Sequence, residues 1–259
     1  MIKTGIVSAT FRGLAAEDII DLAAAAGLTG IEWSSDVHLL PGDKARARQV
    51  KKLCLERQLG ICGYASYYRL GENTDPLSAF APVLETAKEL EAQVIRIWAG
   101  TQPSKNISPE ELHHLTREAV LLVSAAHNIG AEISFEYHQN TLADSPEAAL
   151  KLLTLVPGSR THWQTAANGE EEENLRAIRE LSSYITTVHV QQCMDGVYYP
   201  LSDGWEAWSN YMTEITKLPG DHYACLEFVK GGTAAQFLED SKTLSGLIRR
   251  AEQGGDMNG

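Results

Sequence analysis

Short apolar runs alternate with longer segments of helical periodicity along the whole chain. In one of the longer segments, apolar residues recur at the spacing of a single helix face, at Leu112, Leu115, Ala119, Leu122 and Ala126. The short runs predict strands at residues 3–8, 29–33, 61–66, 93–98, 131–137, 160–164, 185–190 and 223–228. The pattern therefore predicts a strand followed by a helix, repeated eight times.

The ends of the predicted helices carry their own signals. Asp75 and Ser145 each precede a proline, which is typical of a capped helix start. Ser108 begins the sequence Ser-Pro-Glu-Glu, which is typical of a capping box. A glycine that is predicted to adopt the left-handed conformation just past a helix follows three helical segments, at Gly27, Gly60 and Gly130. These joints between a helix and the next strand are expected in an α/β protein.

Eight strand-helix units of roughly thirty residues each match the size of a (β/α)8 TIM barrel of the α/β class. A doubly wound sheet is the competing architecture, but it seldom needs eight units of such regular length. The composition shows no linker, so residues 1–259 are predicted to form a single domain. The polar segment 253–259 is predicted to be a flexible tail.

Charge and composition narrow the classes of function. The formal net charge of −12 argues against a nucleic-acid partner, because such partners require clustered basic residues. No run of about 18 apolar residues predicts a membrane span, and no secretion signal is recognisable, so we expect a cytoplasmic protein. Cys62 and Cys225 lie in apolar runs without CxxC spacing, which predicts reduced, buried thiols.

Polar residues on one face of three predicted strands are the strongest chemical signal. Side chains alternate across a strand, so Glu136, His189 and Glu227 are expected to point into the barrel, opposite the large apolar residues. Burying two carboxylates beside an imidazole costs several kcal/mol per ion unless a cation compensates them. We therefore expect one divalent metal at the C-terminal mouth, with Mn²⁺, Mg²⁺ or Co²⁺ favoured and Zn²⁺ possible.

Two basic residues have competing interpretations. The side chain of Arg96 is also expected to point into the barrel. A structural ion pair with Glu32 is favoured over a role in orienting substrate hydroxyls. Lys230 opens a Lys-Gly-Gly-Thr segment after the eighth strand, which either cradles a phosphate or forms a plain turn before a helix.

Five short motifs, taken in order, resemble the xylose isomerase-like TIM barrels. That family includes sugar phosphate isomerases/epimerases, ketose 3-epimerases, hydroxypyruvate isomerases and inosose dehydratases. The motifs are Gly30-Ile-Glu-Trp33, Val94-Ile-Arg-Ile-Trp-Ala-Gly100, Phe135-Glu-Tyr-His138, Val188-His-Val190 and Leu226-Glu-Phe228. The resemblance covers nearly the whole chain.

The resemblance implies a metal held by Glu136, Gln164, His189 and Glu227. Relatives more usually have Asp where this chain has Gln164, so the ligand set carries two formal negative charges instead of three. We therefore expect weaker metal binding and a changed metal preference. Many relatives also have a His at the position of Ala167, and its loss argues against the multi-zinc endonuclease branch.

The resemblance implies a metal-dependent sugar or sugar phosphate isomerase or epimerase, with Glu136 and Glu227 as the acid/base pair. These carboxylates would remove and return a proton next to a carbonyl through a metal-stabilised enediolate. The alternatives are an inosose-type dehydratase and a sugar-binding barrel without catalysis. The expected partner is a small carbohydrate, and a homo-oligomer is compatible with the sequence. The residues predicted to contact that substrate are His138, Arg69, Tyr67, Trp98, Trp33 and Lys230.

Overall fold

A computed structural model of the protein describes residues 1–166 and 169–255. Over these ranges, eight parallel strands close into a barrel, and two further strands, β8 and β9, form a small antiparallel hairpin. The barrel strands are β1 (Ile2–Val7), β2 (Gly30–Ser34), β3 (Gly60–Arg69), β4 (Val94–Trp98), β5 (Glu132–Glu136), β6 (Arg160–Trp163), β7 (Ile185–Val190) and β10 (His222–Leu226). They follow one another around the barrel in chain order, and β10 closes it against β1.

A helix connects each barrel strand to the next, and a last helix follows β10. The helices are α1 (Ala16–Ala25), α2 (Lys44–Glu56), α3 (Pro76–Leu90), α4 (Pro109–His127), α5 (Pro146–Leu155), α6 (Glu171–Glu180), α7 (Trp205–Ile215) and α8 (Ala234–Gly255). The predicted (β/α)8 TIM barrel is therefore confirmed. Of the segment 253–259 predicted to be a flexible tail, residues 253–255 belong to α8 and 256–259 lie outside the described residues.

The predicted helix starts are present as hydrogen-bonded caps. The side chains of Asp75, Ser108 and Ser145 each accept a hydrogen bond from a backbone amide three residues on. Such caps satisfy amides that the first turn of a helix leaves without partners. Gly27 and Gly130 adopt the predicted left-handed conformation, with φ of 69° and 79°.

The prediction for Gly60 was wrong. Gly60 begins β3, and the left-handed residue after helix α2 is Gln58, with φ of 59°. A Cβ at position 60 would lie 2.7 Å from the hydroxyl of Tyr223, so a larger residue there would displace that side chain.

The hairpin after β7 was not predicted from the sequence. Its strands β8 (Cys193–Met194) and β9 (Val197–Tyr198) are joined by Asp195 and Gly196, with φ of 50° and 75°. Two consecutive positive φ values match a type I′ turn, for which Asp-Gly is a favoured sequence. The Asp-Gly pair was therefore the available signal.

Thiols beside glycine backbone fill the middle of the barrel interior. Cys62 and Cys225 pack there with Val7 and Ala9, and all four are buried. A Cβ on Gly5 would lie 2.7 Å from Sγ of Cys225 and 2.9 Å from Sγ of Cys62. This layer is tightly packed, and a cavity of about 700 Å³ lies below it at the N-terminal ends of the strands, where its lining includes Lys3 and Tyr223. Within the described residues, no helix is both long and apolar enough to span a membrane.

Gly5→Ala is expected to lower the free energy of unfolding by about 1–3 kcal/mol, because the added methyl group overpacks the two thiols. Gly13→Ala is the matched control, since a Cβ at Gly13 meets no atom within 4 Å. Urea unfolding of both variants measures the difference. Equal stability of the two variants would contradict the packing described around Gly5.

The four cysteines are free thiols, and we expect one of them to react quickly. Burial raises the pKa of Cys54 to about 12 and raises the pKa of Cys62 and Cys225, which disfavours the reactive thiolate. Cys193 lies half-buried in the hairpin. At about pH 8, Ellman's reagent should therefore modify one thiol rapidly, and Cys193→Ser should abolish that phase. Rapid loss of two or more thiols from the folded protein would refute this.

Candidate metal centre at the barrel mouth

Three of the predicted ligands meet at the C-terminal end of the barrel. Glu136 ends β5, His189 lies in β7 and Glu227 directly follows β10, and all three side chains are buried. Nδ1 of His189 lies 3.3 Å from Oε2 of Glu227 and 3.9 Å from Oε1 of Glu136. One potential ligand atom from each residue lies within 4.8 Å of the others. The three side chains meet because each points inward from its strand, as the alternation of side chains predicts.

The backbone around Glu227 is held in an unusual conformation. Its amide donates a hydrogen bond to the carbonyl of Val190 at 3.0 Å, which extends the pairing of β10 with β7 by one residue. Phe228 then adopts a left-handed φ of 54°, and its amide donates to the Thr10 hydroxyl at 3.1 Å. Left-handed geometry is costly for a bulky residue and turns the chain sharply after Glu227. The carboxylate is thereby kept inside the mouth.

A deeper carboxylate orients the imidazole of His189. Nε2 of His189 lies 2.9 Å from Oε2 of Glu32, which is completely buried. His162 approaches the same oxygen with Nε2 at 3.5 Å, while its Nδ1 lies 2.6 Å from the Ser134 hydroxyl. A proton on Nε2 of His189 directed at Glu32 leaves the lone pair of Nδ1 facing the two outer carboxylates. That tautomer is the one a metal ligand needs.

Arg96 lies between the inner and outer carboxylates. Its Nε is 3.3 Å from Oε1 of Glu32, which confirms the predicted ion pair. Its Nη1 also donates to Oε2 of Glu136, a contact that was not predicted. Burial lowers the pKa of Arg96, but the charges of Glu136 and Glu32 outweigh that effect and raise it. Arg96 is therefore a fixed positive charge in the cluster.

The charges of the cluster favour a divalent cation. The cluster contains the three carboxylates of Glu32, Glu136 and Glu227 and one guanidinium, that of Arg96. When His189 is neutral, two negative charges are therefore uncompensated. Burial lowers the pKa of His189, but the charges of Glu227 and Glu32 outweigh burial and raise it well above its usual value. The cluster thus attracts a cation to this imidazole.

The residues present fit a metal on the outer side of His189. Nδ1 of His189 is buried and makes no hydrogen bond, although two carboxylates face it. Glu32, His162 and His189 form a second possible ligand group deeper in the barrel. Arg96 contacts the one carboxylate of the inner group, Glu32, whereas in the outer group it contacts Glu136 and leaves Glu227 without a guanidinium partner among the described residues. The outer group of Glu136, His189 and Glu227 is therefore the better metal site.

Gln164 adjoins this outer group with its nitrogen rather than its oxygen. Its Nε2 donates to the carbonyl of Tyr137 at 3.1 Å and to Oε1 of Glu136 at 3.4 Å. Its Oε1 accepts a hydrogen bond from Nε2 of Gln191 at 2.9 Å. Ligation through the oxygen would require the amide to turn over and would break these contacts. Ala167, the other predicted departure from the family pattern, lies outside the described residues.

Four of the predicted substrate contacts share one rim of the mouth. The guanidinium carbon of Arg69 lies 4.1 Å from the centre of the Trp98 ring, and the rings of Trp98 and His138 are 4.6 Å apart. The Tyr67 hydroxyl accepts a hydrogen bond from Nη2 of Arg12 at 2.7 Å. These side chains offer flat aromatic and cationic surfaces beside the metal-ligand group.

The other two predicted contacts, Trp33 and Lys230, differ in their surroundings. Trp33 is completely buried on the helix side of β2 beside His38, because its neighbour Glu32 takes the inward position. Trp33 therefore does not face the mouth. Lys230 is exposed in a 3₁₀ turn (Lys230–Gly232) that follows β10.

A cavity of about 420 Å³ opens next to the cluster, within the range that ligand pockets occupy. Its lining includes His138, Gln164 and Gln191, with Cys193 and Tyr198 from the hairpin. Sequence reasoning assigned no site role to Gln191 or to the hairpin. For Gln191 the signal was its position two residues after His189, which gives both side chains the same inward parity.

Comparisons with known proteins agree with this architecture. A family model described as Xylose isomerase-like TIM barrel matches residues 20–242. No curated protein matches the chain. Among solved structures, the probable 3-DHS dehydratase AsbF involved in petrobactin synthesis from Bacillus anthracis has a TM-score of 0.81 at 17% identity, covering 95% of this chain and 99% of that one.

Two further structures show the same fold. An L-ribulose 3-epimerase has a TM-score of 0.77 at 12% identity, covering 99% of this chain and 98% of its own. A xylose isomerase-like TIM barrel protein from Mycobacterium smegmatis in complex with magnesium has a TM-score of 0.74 at 11% identity, covering 96% of this chain and 97% of its own. At these identities the likeness concerns the fold alone.

Glu32→Gln is expected to weaken divalent-metal binding by about 10- to 100-fold, because the imidazole of His189 loses the charged acceptor that orients it. Calorimetric titration with Mn²⁺ measures this effect without any substrate. Glu118→Gln is the matched control, since Glu118 is also buried but accepts hydrogen bonds from Tyr68 and Gly71. Equal Mn²⁺ affinity in the two variants would disprove an orienting role for Glu32.

Proposed function

Since this chain belongs to the xylose isomerase-like TIM barrel family, we propose that it is a divalent-metal-dependent isomerase or epimerase of a small carbohydrate. The reaction removes a proton from the carbon next to a carbonyl and returns it to the substrate. The observation that carries the proposal is Nδ1 of His189, which is buried without a hydrogen bond and faces two carboxylates.

Glu136, His189 and Glu227 are the residues that would hold the metal. Their oxygen and nitrogen donors suit Mn²⁺, Mg²⁺ or Co²⁺, and Zn²⁺ remains compatible. When bound, the metal supplies Lewis acidity that polarises a carbonyl and acidifies the neighbouring C–H. Gln164 would complete the set only after its amide turns over.

The two outer carboxylates are not equivalent as proton acceptors. Arg96 donates to Oε2 of Glu136 and neutralises that carboxylate, whereas no guanidinium contacts Glu227 among the described residues. Burial raises the pKa of Glu227, but the positive charge of a protonated His189 outweighs burial and lowers it. A metal cation at Nδ1 of a neutral His189 would supply that positive charge in its place. We assign proton removal to Glu227. Proton return from the opposite side of the substrate, which inverts the carbon centre, is assigned to Glu136, which first takes a proton from solvent, while Glu227 releases the proton that it removed to solvent.

A carbohydrate substrate is supported by the aromatic side chains at the mouth. Tyr67 and Trp98 present rings that suit the apolar faces of sugars, and His138 adjoins Trp98. Structural neighbours that carry epimerase names point to the same class of substrate. The cavity of about 420 Å³ is large enough for a single small sugar.

A dehydratase is the second candidate, and the pairing of Arg96 with Glu136 favours it. Dehydration needs one carboxylate to remove the proton: the C–H and a neighbouring C–O bond break, a C=C bond forms and water leaves. With Glu136 neutralised, Glu227 suffices for that step. The Bacillus anthracis structure, which carries the name of a probable dehydratase, supports this alternative.

The test incubates Mn²⁺-loaded protein with a panel of ketoses and inososes in D₂O and follows the products by mass spectrometry. Glu227→Gln should lower the rate by about 100- to 10,000-fold, the usual contribution of a general base. Glu110→Gln is the matched control, because this exposed carboxylate in the first turn of α4 lies outside both the cavity and the ligand cluster. Its rate should match that of the unaltered protein.

The products distinguish the candidates. Deuterium at carbon without loss of water supports the isomerase or epimerase, and loss of one water supports the dehydratase. A protein that binds a sugar but neither exchanges deuterium nor releases water would overturn both, and would leave the sugar-binding barrel.

A further inference from the structure

Arg69 is presented at the mouth in a fixed orientation. It ends β3 and pairs in register with Trp98, the last residue of β4. Its guanidinium carbon lies 4.1 Å from the centre of the Trp98 ring, and the side chain is half-buried. Stacking of a guanidinium on an aromatic ring restricts its motion while its N–H groups stay available at the edge.

The charge of Arg69 has no carboxylate partner in the part of the chain that the structure describes. Arg96 is paired with Glu32 and Glu136, and Arg12 at the same rim is paired with Asp36. For Arg69, by contrast, no carboxylate lies within ion-pair distance across residues 1–166 and 169–255. A half-buried guanidinium with free N–H groups is suited to a ligand that accepts hydrogen bonds and carries negative charge.

The metal-ligand cluster does not repel such a ligand. Its two uncompensated negative charges are balanced by a divalent cation, because Gln164 contributes no charge. An aspartate at that position would leave the loaded cluster negative. Two further carboxylates, Asp144 and Glu173, line the cavity beside His138 and Gln164. The positive side of the mouth is therefore the β3–β4 rim, where Arg69 lies.

We infer that the substrate carries a carboxylate or phosphate group, which Arg69 holds at the β3–β4 rim while the carbonyl end lies at the metal-ligand cluster. The inference rests on the proposed function and deepens it by naming the substrate as an anionic carbohydrate. Arg69 offers two parallel N–H groups to a pair of anionic oxygens, a geometry that a neutral hydroxyl does not match. The anion thus sets which end of the substrate faces Glu227.

The test compares dissociation constants within two matched ligand pairs on the Mn²⁺-loaded protein by calorimetry at low salt. The first pair, D-glucuronate and D-glucose, tests whether a carboxylate strengthens binding. The second pair, D-ribulose 5-phosphate and D-ribulose, tests whether a phosphate does. In at least one pair, the anion should bind about tenfold or more tightly than its neutral partner, as a charge-assisted hydrogen bond predicts. The pair that shows the preference identifies the anionic group.

Substitutions assign the preference to Arg69. Arg69→Gln should bring the preference to about twofold or less, and Arg69→Lys should keep part of it because the charge remains. Arg249→Gln is the matched control, since Arg249 is exposed on α8 and the variant changes the net charge equally. Its preference for the anion should equal that of the unaltered protein.

Equal binding of anion and neutral sugar in both pairs would overturn the inference, as would a preference that survives Arg69→Gln. Neither result would contradict the proposed function if neutral ketoses still exchange deuterium in D₂O. Loss of exchange with every ketose and inosose, charged or neutral, would instead overturn the proposed function.

Discussion

Both ring nitrogens of His189 face carboxylates, and the arrangement of the mouth depends on this. Glu32 lies 2.9 Å from Nε2, and Glu227 lies 3.3 Å from Nδ1. A neutral imidazole carries one proton, so the side that receives it determines the side that offers a lone pair. Because Glu32 is completely buried and lies at Nε2, a neutral imidazole keeps its proton there and its lone pair faces the mouth. The raised pKa of His189 favours a second proton on Nδ1, which a bound metal would displace. Arg96 and His162 then take positions around Glu32 that keep this carboxylate in place.

The middle and the mouth of the barrel interior have opposite physical character. In the middle, Cys62 and Cys225 pack against glycine backbone with no space for an additional methyl group. At the C-terminal end, Glu136 and Glu227 face each other across an imidazole beside an open cavity. Burial of these charges strengthens the electrostatic interactions between them.

Gln164 changes the electrostatics of the mouth more than its geometry. Its amide donates to Glu136 and accepts from Gln191, so it links two strands without adding charge. The cluster keeps two uncompensated negative charges, which one divalent cation would balance. With such a cation bound, no excess of negative charge at the metal-ligand group would oppose an anion at Arg69.

The sequence alone determined the barrel and the meeting of Glu136, His189 and Glu227. Parallel strands share one direction and side chains alternate along them, so regular spacing suffices to predict which residues face inward at the same end. Only the tertiary structure decided that Arg96 contacts Glu136 in addition to Glu32 and that the amide nitrogen of Gln164 faces Glu136. The alternation of side chains along a strand predicts which donors and acceptors lie inside the barrel, but it does not predict which of them pair with each other. The choice among them depends on side-chain rotamers and distances of a few tenths of an ångström, which arise only when all eight strands close around the same interior.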